Sequence, residues 1–212
     1  MDNAWCLPSP ITGIGQGQFV ILPNMPLGLV GLAGLDYLIS MSIRPILIHP
    51  DPRLKKKCAE LPGVDADLRR LADDMLETMY DAPGVGLAAP QIGVLKRIFV
   101  MDVAGKEATP EPRVLINPEL TWTSEALNTY EEGCLSIPEI FDEITRPAVV
   151  RMRYLDVDGK EHEDEFDGLG ATCVQHELDH LNGKLFIDFL SVARRGLITG
   201  KMKKLKRERA RD

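Results

Sequence analysis

The sequence predicts one soluble domain that combines α-helices with short β-strands and carries an extension at each end. The chain has 212 residues, of which 44% are hydrophobic and 27% charged. No apolar run approaches the roughly 20 residues that a membrane span needs. Two patterns favour the mixed fold: a helical repeat of apolar residues before residue 80, and an alternation of apolar and charged residues after residue 149.

The first pattern predicts a helix over residues 65–80. Apolar side chains recur there every three or four residues, so they share one helical face, and the repeat stops at Pro83-Gly84. The repeating residues are Val64, Leu68, Leu71, Met75 and Met79. We expect this face to pack in the core.

Short strands are predicted at residues 97–102, 114–117 and 149–157. In the third, apolar and arginine side chains alternate, which is typical of a strand with one buried face. Asp158-Gly159 then supplies a tight turn, and residues 160–166 return as the second arm of a hairpin.

Charge divides the chain into an extension at residues 1–40, a main domain at residues 41–190 and a basic segment at residues 191–212. The basic segment carries nine Lys and Arg from Arg194 onward against two acids, while the net charge of the whole chain is -7. The acidic main domain argues against specific binding to DNA. The basic segment is expected to be a solvated helix or to attach to RNA or an acidic partner.

Residues 1–40 lack the basic residues that a secretory signal or a transit peptide requires. We expect this extension to be poorly ordered or non-native, with Met41 as the natural start. The alternative is an apolar arm at residues 19–38 that packs on the domain or on another subunit. The four cysteines are too scattered for a disulfide scaffold, which favours a reducing compartment.

A pair of histidines forms the strongest local signal. His176 and His180 are four residues apart in a segment with helical character, so both imidazoles lie on one face with Glu177 beside them. Burying unpaired imidazoles and a carboxylate next to an apolar stripe would be costly. The pattern therefore predicts a metal site.

A catalytic zinc or iron usually has a third protein ligand and one open position. We choose Cys134, because it lies in the tight apolar segment Gly133-Cys134-Leu135, and Cys173 is the rival thiol, expected instead in a wall or in the core. His49 and His162 occur in a predicted turn and an exposed strand. A thiolate with two imidazoles does not separate zinc from ferrous iron.

A third segment, residues 84–93, places small residues before Gln91. Small residues allow a ligand's backbone to lie close, although the segment lacks a phosphate-loop lysine. Together the three segments resemble the peptide deformylases, whose motifs G-x-G-x-A-A-x-Q, E-G-C-L-S and Q-H-E-x-D-H occur here in that order over residues 43–205. The resemblance implies an α+β fold, with antiparallel and mixed β-sheets packed around a central helix that carries the HExxH motif.

By this resemblance the chain is a bacterial cytoplasmic hydrolase that removes the formyl group from the N-terminal formyl-methionine of new polypeptides. Cys134, His176 and His180 match the metal ligands, and the metal is expected to be Fe2+, with Zn2+, Ni2+ or Co2+ as alternatives. Glu177 matches the catalytic carboxylate. The backbone of Leu135 and the side chain of Gln91 match the groups that stabilise the oxyanion.

The resemblance also implies how the substrate binds. The peptide would lie extended beside Gly86, with its methionine side chain in an apolar pocket. The expected pocket walls are Val85, Leu169, Thr172 and Cys173. Many relatives carry an arginine near the position of Phe141, so the peptide preference beyond methionine is not fixed. Some bacterial relatives dock on the ribosome through a C-terminal helix, which the basic segment resembles.

Two other function classes stay open on the sequence alone. A metallopeptidase shares the helix motif, but it usually takes a third ligand from a downstream His or Glu, and no His follows Gly183. The other alternative is a ribosome-associated binding protein whose catalytic centre has decayed. The presence of every expected metal ligand argues against it.

Overall fold

The computed structural model describes residues 42–105 and 108–211, so the expectations for residues 1–40 lie outside the described residues. It contains three α-helices, which are α1 (Ala66–Asp81), α2 (Gly168–Leu181) and α3 (Val192–Arg209). The seven strands are β1 (Gly86–Ala88), β2 (Ile98–Met101), β3 (Arg113–Thr123), β4 (Leu127–Cys134), β5 (Ile137–Pro147), β6 (Val149–Leu155) and β7 (Glu161–Asp167). The fold is therefore α+β.

The strands form two antiparallel units. Five of them make a sheet in the order β1-β2-β3-β6-β7, and β4 pairs with β5 in a long hairpin. A parallel bridge joins Ala59 to Lys96 outside these strands. Helix α2 contacts β1, β2, β6 and β7 of the sheet and β5 of the hairpin, so the helix that carries the paired histidines lies between the two units.

Helix α1 confirms the helix predicted at residues 65–80. Its N-cap is Asp65, whose carboxylate accepts a hydrogen bond from the backbone N–H of Leu68 and so satisfies one otherwise unpaired donor of the first turn. Leu68, Met75 and Met79 are buried against β1 and β2. The apolar stripe therefore packs in the core as predicted.

The predicted strands at residues 97–102, 114–117 and 149–157 correspond to β2, β3 and β6. Gly159 adopts a positive φ of 77° in the β6–β7 turn, a conformation that glycine takes without strain. The side chain of His162 is 29% exposed and bonds Asp156 at 2.7 Å, which agrees with its expected surface position. His49 is only 7% exposed, because it packs under α3 rather than in an open turn.

Helix α3 is anchored on the rest of the fold by its apolar side. Ile198 and Met202 are buried in a cluster with Ile137 and Phe186. The basic residues of α3 lie on its exposed side. Within residues 42–105 and 108–211, no helix combines the length and the apolar character that crossing a membrane requires.

Candidate metal centre

Helix α2 buries the paired histidines and the glutamate between them. His176, Glu177 and His180 are 3%, 2% and 1% exposed, and the centroids of the two imidazole rings are 4.9 Å apart. Val174 and Leu181 are fully buried in the adjacent core cluster. The apolar stripe of α2 therefore packs in the core, and this packing keeps the polar face with the two histidines buried.

Cys134 reaches this face from the end of β4. An irregularity in the β4–β5 ladder follows Gly133, and Cys134 pairs there with Ile137. The Sγ of Cys134 lies 3.2 Å from the Nε2 of His180, and one ligand atom each from Cys134, His176 and His180 lie within 4.8 Å of one another. The structure thus brings Cys134 to the histidines, whereas Cys173 is buried beside the carbonyl of Val85.

A buried ion network lies behind the first histidine. The Nδ1 of His176 is 2.8 Å from Oε2 of Glu132, and Arg146 makes two hydrogen bonds to the same carboxylate. A carboxylate accepts and does not donate when it is ionised, so it holds the proton on Nδ1 and makes Nε2 the nitrogen that can coordinate a metal.

The burial of the site shifts the pKa values of its groups. Burial raises the pKa of Glu177 to about 7, although the charges of His176 and Arg146 act in the opposite direction. Burial and the adjacent His176 lower the pKa of His180. Burial disfavours charge on His176 as well, but hydrogen bonds to Cys134 and Glu132 outweigh it and raise its pKa.

A small cleft opens in front of Glu177. It measures about 10 Å³, close to the space that one water molecule needs. The residues around it are Gly84, Val85, Gly86, Gln91, Gly133, Cys134, Leu135, His176 and Glu177. The glycine-rich motif at β1 and the motif with Cys134 at the end of β4 therefore face the HExxH motif on α2.

The side chain of Gln91 is oriented by the backbone. Its Oε1 accepts a hydrogen bond of 2.7 Å from the N–H of Ala88, which directs the Nε2 donor to the other side. That Nε2 lies 3.6 Å from the Sγ of Cys134 and 3.4 Å from the Oγ of Ser136. The amide donor of Gln91 therefore points at the sulfur of Cys134, beside the small cleft.

The residues expected to contact the substrate, which are the pocket walls and Gly86, divide into two groups. Val85 and Gly86 line the cleft. Val85 and Leu169 both pack on the core cluster that contains Cys173. Thr172 is 3% exposed, and its hydroxyl bonds the carbonyl of Gly168 within α2. Leu169, Thr172 and Cys173 therefore lie outside the residues that enclose the small cleft.

The donor set fits a divalent metal. A cysteine sulfur and two imidazole nitrogens suit a borderline-soft ion such as zinc or ferrous iron. The Oε2 of Glu177 is buried beside these ligands and has no hydrogen-bond partner among the described residues. A buried polar atom of this kind needs a polar partner, which a water molecule on the metal would provide.

Comparison with known proteins identifies the family. The sequence profile of the Polypeptide deformylase family matches residues 43–195. The chain belongs to the peptide deformylase family. A peptide deformylase of Mesorhizobium japonicum is 55% identical over 170 residues, which cover 80% of this chain and 97% of that relative.

Solved structures of deformylases have the same fold. A peptide deformylase from Legionella pneumophila aligns with a TM-score of 0.74 and 46% identity, and the match covers 81% of this chain and 99% of that one. A peptide deformylase from Ehrlichia chaffeensis aligns with a TM-score of 0.76 and 40% identity, over 80% and 99% of the two chains.

The chain is therefore a metal-dependent hydrolase that removes the N-formyl group from the formyl-methionine of new polypeptides and releases formate. Its bacterial relatives include those of Mesorhizobium japonicum and Rhizobium meliloti. The family match favours this deformylase assignment over the metallopeptidase and over the binding protein with a decayed centre.

Sequence reasoning missed Glu132 and Arg146. Both are charged residues in strands that the periodicity did not predict, and they are 0% and 6% exposed. One signal was available, since Glu132 directly precedes the Gly133-Cys134 pair. An acid beside a metal-ligand candidate is a common partner for a ligating histidine.

Proposed function

We propose that Cys134, His176 and His180 hold one divalent metal, which is Fe2+ in the cell and which Zn2+, Ni2+ or Co2+ can replace. The convergence of their ligand atoms supports this set. A metal held there supplies Lewis-acid chemistry, since it lowers the pKa of a coordinated water and polarises the formyl carbonyl.

Glu177 acts as the general base and then as the general acid. Its carboxylate takes a proton from the attacking water, whose oxygen bonds to the formyl carbon. Glu177 then delivers that proton to the amine as the C–N bond breaks, which gives formate and a free N-terminus. Burial raises the pKa of Glu177, which supports its role as a base because a more basic carboxylate takes up a proton more readily.

Gln91 and Leu135 stabilise the negative charge that develops on the formyl oxygen. Both line the cleft beside Cys134, and the bond from Ala88 keeps the Gln91 amide donor directed at it. Removing one such donor typically lowers the rate about 100- to 1,000-fold.

The peptide binds as an added strand along β1. Among the described strands β1 pairs only with β2, so it is an edge of the sheet. An edge strand presents backbone groups that an extended peptide can bond without reading its sequence. Gly86 supplies the close approach, and the methionine side chain enters the apolar region of Val85, Leu169, Thr172 and Cys173.

The decisive experiment compares the wild type with Glu177→Gln, both purified without oxygen and with their metal content measured. The wild type is expected to release formate from formyl-Met-Ala-Ser, and the variant to lose activity by 100-fold or more while it retains the metal. Wild-type levels of formate release by a metal-loaded Glu177→Gln would exclude this role of Glu177.

We also propose that the protein works in the bacterial cytoplasm and contacts the ribosome through α3. Lys203, Lys204, Lys206 and Arg207 are exposed on this helix, while Ile198 and Met202 hold it on the domain. A helix that is fixed on one side and basic on the other can contact RNA phosphates without unfolding.

A charge variant tests this contact more sharply than truncation, because truncation would expose the core beneath α3. Replacing the four exposed basic residues by glutamine is expected to weaken ribosome co-sedimentation and to reduce its dependence on salt. Formate release from the short peptide should stay unchanged. Undiminished co-sedimentation of the variant would refute the role of α3.

A further inference from the structure

We propose that Arg146 is a positioning residue that sets the geometry of the metal centre by tying the β4–β5 hairpin to helix α2. The inference rests on the proposed metal site. Cys134 comes from the hairpin, whereas His176 and His180 come from the helix. The three ligand atoms can converge only if these two elements keep a fixed relative position.

Arg146 is buried and fully committed to partners on both elements. Its Nε and Nη2 donate to the two carboxylate oxygens of Glu132 at 2.5 and 3.0 Å, and its Nη1 donates to Asp179 at 2.8 Å. Glu132 lies on β4, two residues before Cys134, and Asp179 lies on α2 directly before His180. One guanidinium therefore connects the neighbours of two ligands.

The same group also controls the third ligand. Oε2 of Glu132 accepts from Arg146 and is bonded to Nδ1 of His176 at 2.8 Å. A bidentate pair fixes the plane of the carboxylate as well as its position. The direction of the His176 ring thus depends on Arg146 through one shared oxygen atom.

Charge balance makes the link necessary. The side chains of Glu132 and Asp179 are 0% and 17% exposed, and both are acids. Without the cation between them, two carboxylates would remain close together, and only the contact with His176 would offset part of the charge of Glu132. The ring of Phe189 covers the guanidinium at 4.9 Å, which further limits its movement.

Lysine cannot replace this arrangement. An ammonium group is a single point charge, whereas the planar guanidinium directs three N–H donors along fixed directions to two carboxylates. Arg146→Lys therefore keeps the charge and the approximate volume but loses the geometry of the three donors. This variant therefore tests whether Arg146 positions its partners or only fills a buried space.

The test measures Co2+ binding to the metal-free protein through the visible absorption of the cobalt–thiolate complex. The variants are Arg146→Lys and Arg146→Met, and the matched control is Arg151→Met, whose side chain is 53% exposed and pairs with Glu165 on the surface. Outer partners of metal ligands typically change affinity about 10- to 100-fold. We expect such a loss for Arg146→Met, a partial loss with an altered spectrum for Arg146→Lys, and wild-type binding for the control.

Two results would overturn the proposal. One is an Arg146→Lys protein with the Kd and the spectrum of the wild type. The other is a folded Arg146→Met protein that melts at a lower temperature but binds Co2+ as the wild type does, which would make Arg146 merely structural. If the wild type itself binds no Co2+, the proposed metal site fails instead, so the two failures are distinguishable.

Discussion

Gly86 approaches the proposed catalytic carboxylate so closely that an added Cβ would force a neighbouring atom to shift. A Cβ atom at this position would lie 2.5 Å from Oε1 of Glu177 and 2.9 Å from Sγ of Cys173. Gly86→Ala must therefore displace Glu177. A displacement of about 1 Å at a reacting group can lower the rate about 100-fold, and we expect kcat for formate release to fall by that order.

Gly200→Ala is the matched control for this substitution. Its added Cβ meets nothing within 4 Å, because Gly200 lies on the exposed side of α3. The control should keep wild-type kcat and gain helix stability of about 1 kcal/mol. Unchanged kcat in Gly86→Ala would contradict the expected displacement of Glu177.

Single residues differ in how far the sequence reveals them. His176 and His180 are a local pattern, since a spacing of four residues on a helix places two side chains together. The partnership of Glu132 with His176 is not local, because the two residues are 44 positions apart in the chain. The choice of Cys134 needed chemistry as well as spacing, and the structure brings it to the histidines.

At the scale of elements, the contact between α3 and His49, which lies in the segment before α1, predicts a pH effect. His49 is buried, and its Nε2 lies 3.0 Å from the hydroxyl of Thr199 on α3. Burial lowers the pKa of His49, and the positive charge of Lys55 lowers it further. The stability that neutral His49 contributes is thus fully present above pH 6.5, which is the ordinary pKa of histidine. This stability is lost as the pH falls through the lowered pKa of His49.

The measurement is urea unfolding of the wild type and His49→Asn between pH 5 and 8. The free energy of unfolding of the wild type should fall below pH 6.5 more steeply than that of the variant. Both proteins retain His176 and His180, so the difference between the two curves isolates His49. Parallel curves would show that protonation of His49 does not oppose the docking of α3.

The β4–β5 hairpin is the element that the sequence did not predict. Strand β4 reads Leu127-Asn128-Thr129-Tyr130-Glu131-Glu132, with little of the apolar alternation that marks a half-buried strand. Half of its eight residues are exposed, and its long partner β5 stabilises it through backbone pairing. Helix α1 was predictable because its apolar stripe is complete within one segment.

At the scale of the whole molecule, the metal is expected to stabilise the fold. Its proposed ligands join the hairpin to α2, so an ion that binds the folded chain and not the unfolded one raises the free energy of unfolding. At a free metal concentration of 1,000 times Kd, the gain is about 4 kcal/mol. Removing the metal with a chelator should therefore lower Tm by several degrees in calorimetry.

Cys134→Ser provides the control for this measurement. The variant lacks the thiolate, so added Co2+ or Zn2+ should shift its Tm much less than that of the wild type. Equal shifts in the two proteins would indicate that the ion stabilises some other part of the chain.

The basic segment also contributes to the core of the molecule. The sequence places a boundary near residue 190, where basic residues begin. In the structure, Ile198 and Met202 of the basic helix share a core cluster with Ile137 and Phe186. Charge marks the exposed side of α3, but the two buried residues that anchor it are too few to stand out in the sequence.

The spacing of the proposed ligands has a consequence for how each copy is made. Cys134 precedes His180 by 46 residues, and the helix with both histidines follows the hairpin in the chain. During synthesis Cys134 leaves the ribosome before His176 and His180, so the metal site can form only when α2 has emerged. Each new copy therefore becomes active only late in its own translation. Until then, the formyl group on its own N-terminus can be removed only by copies completed earlier.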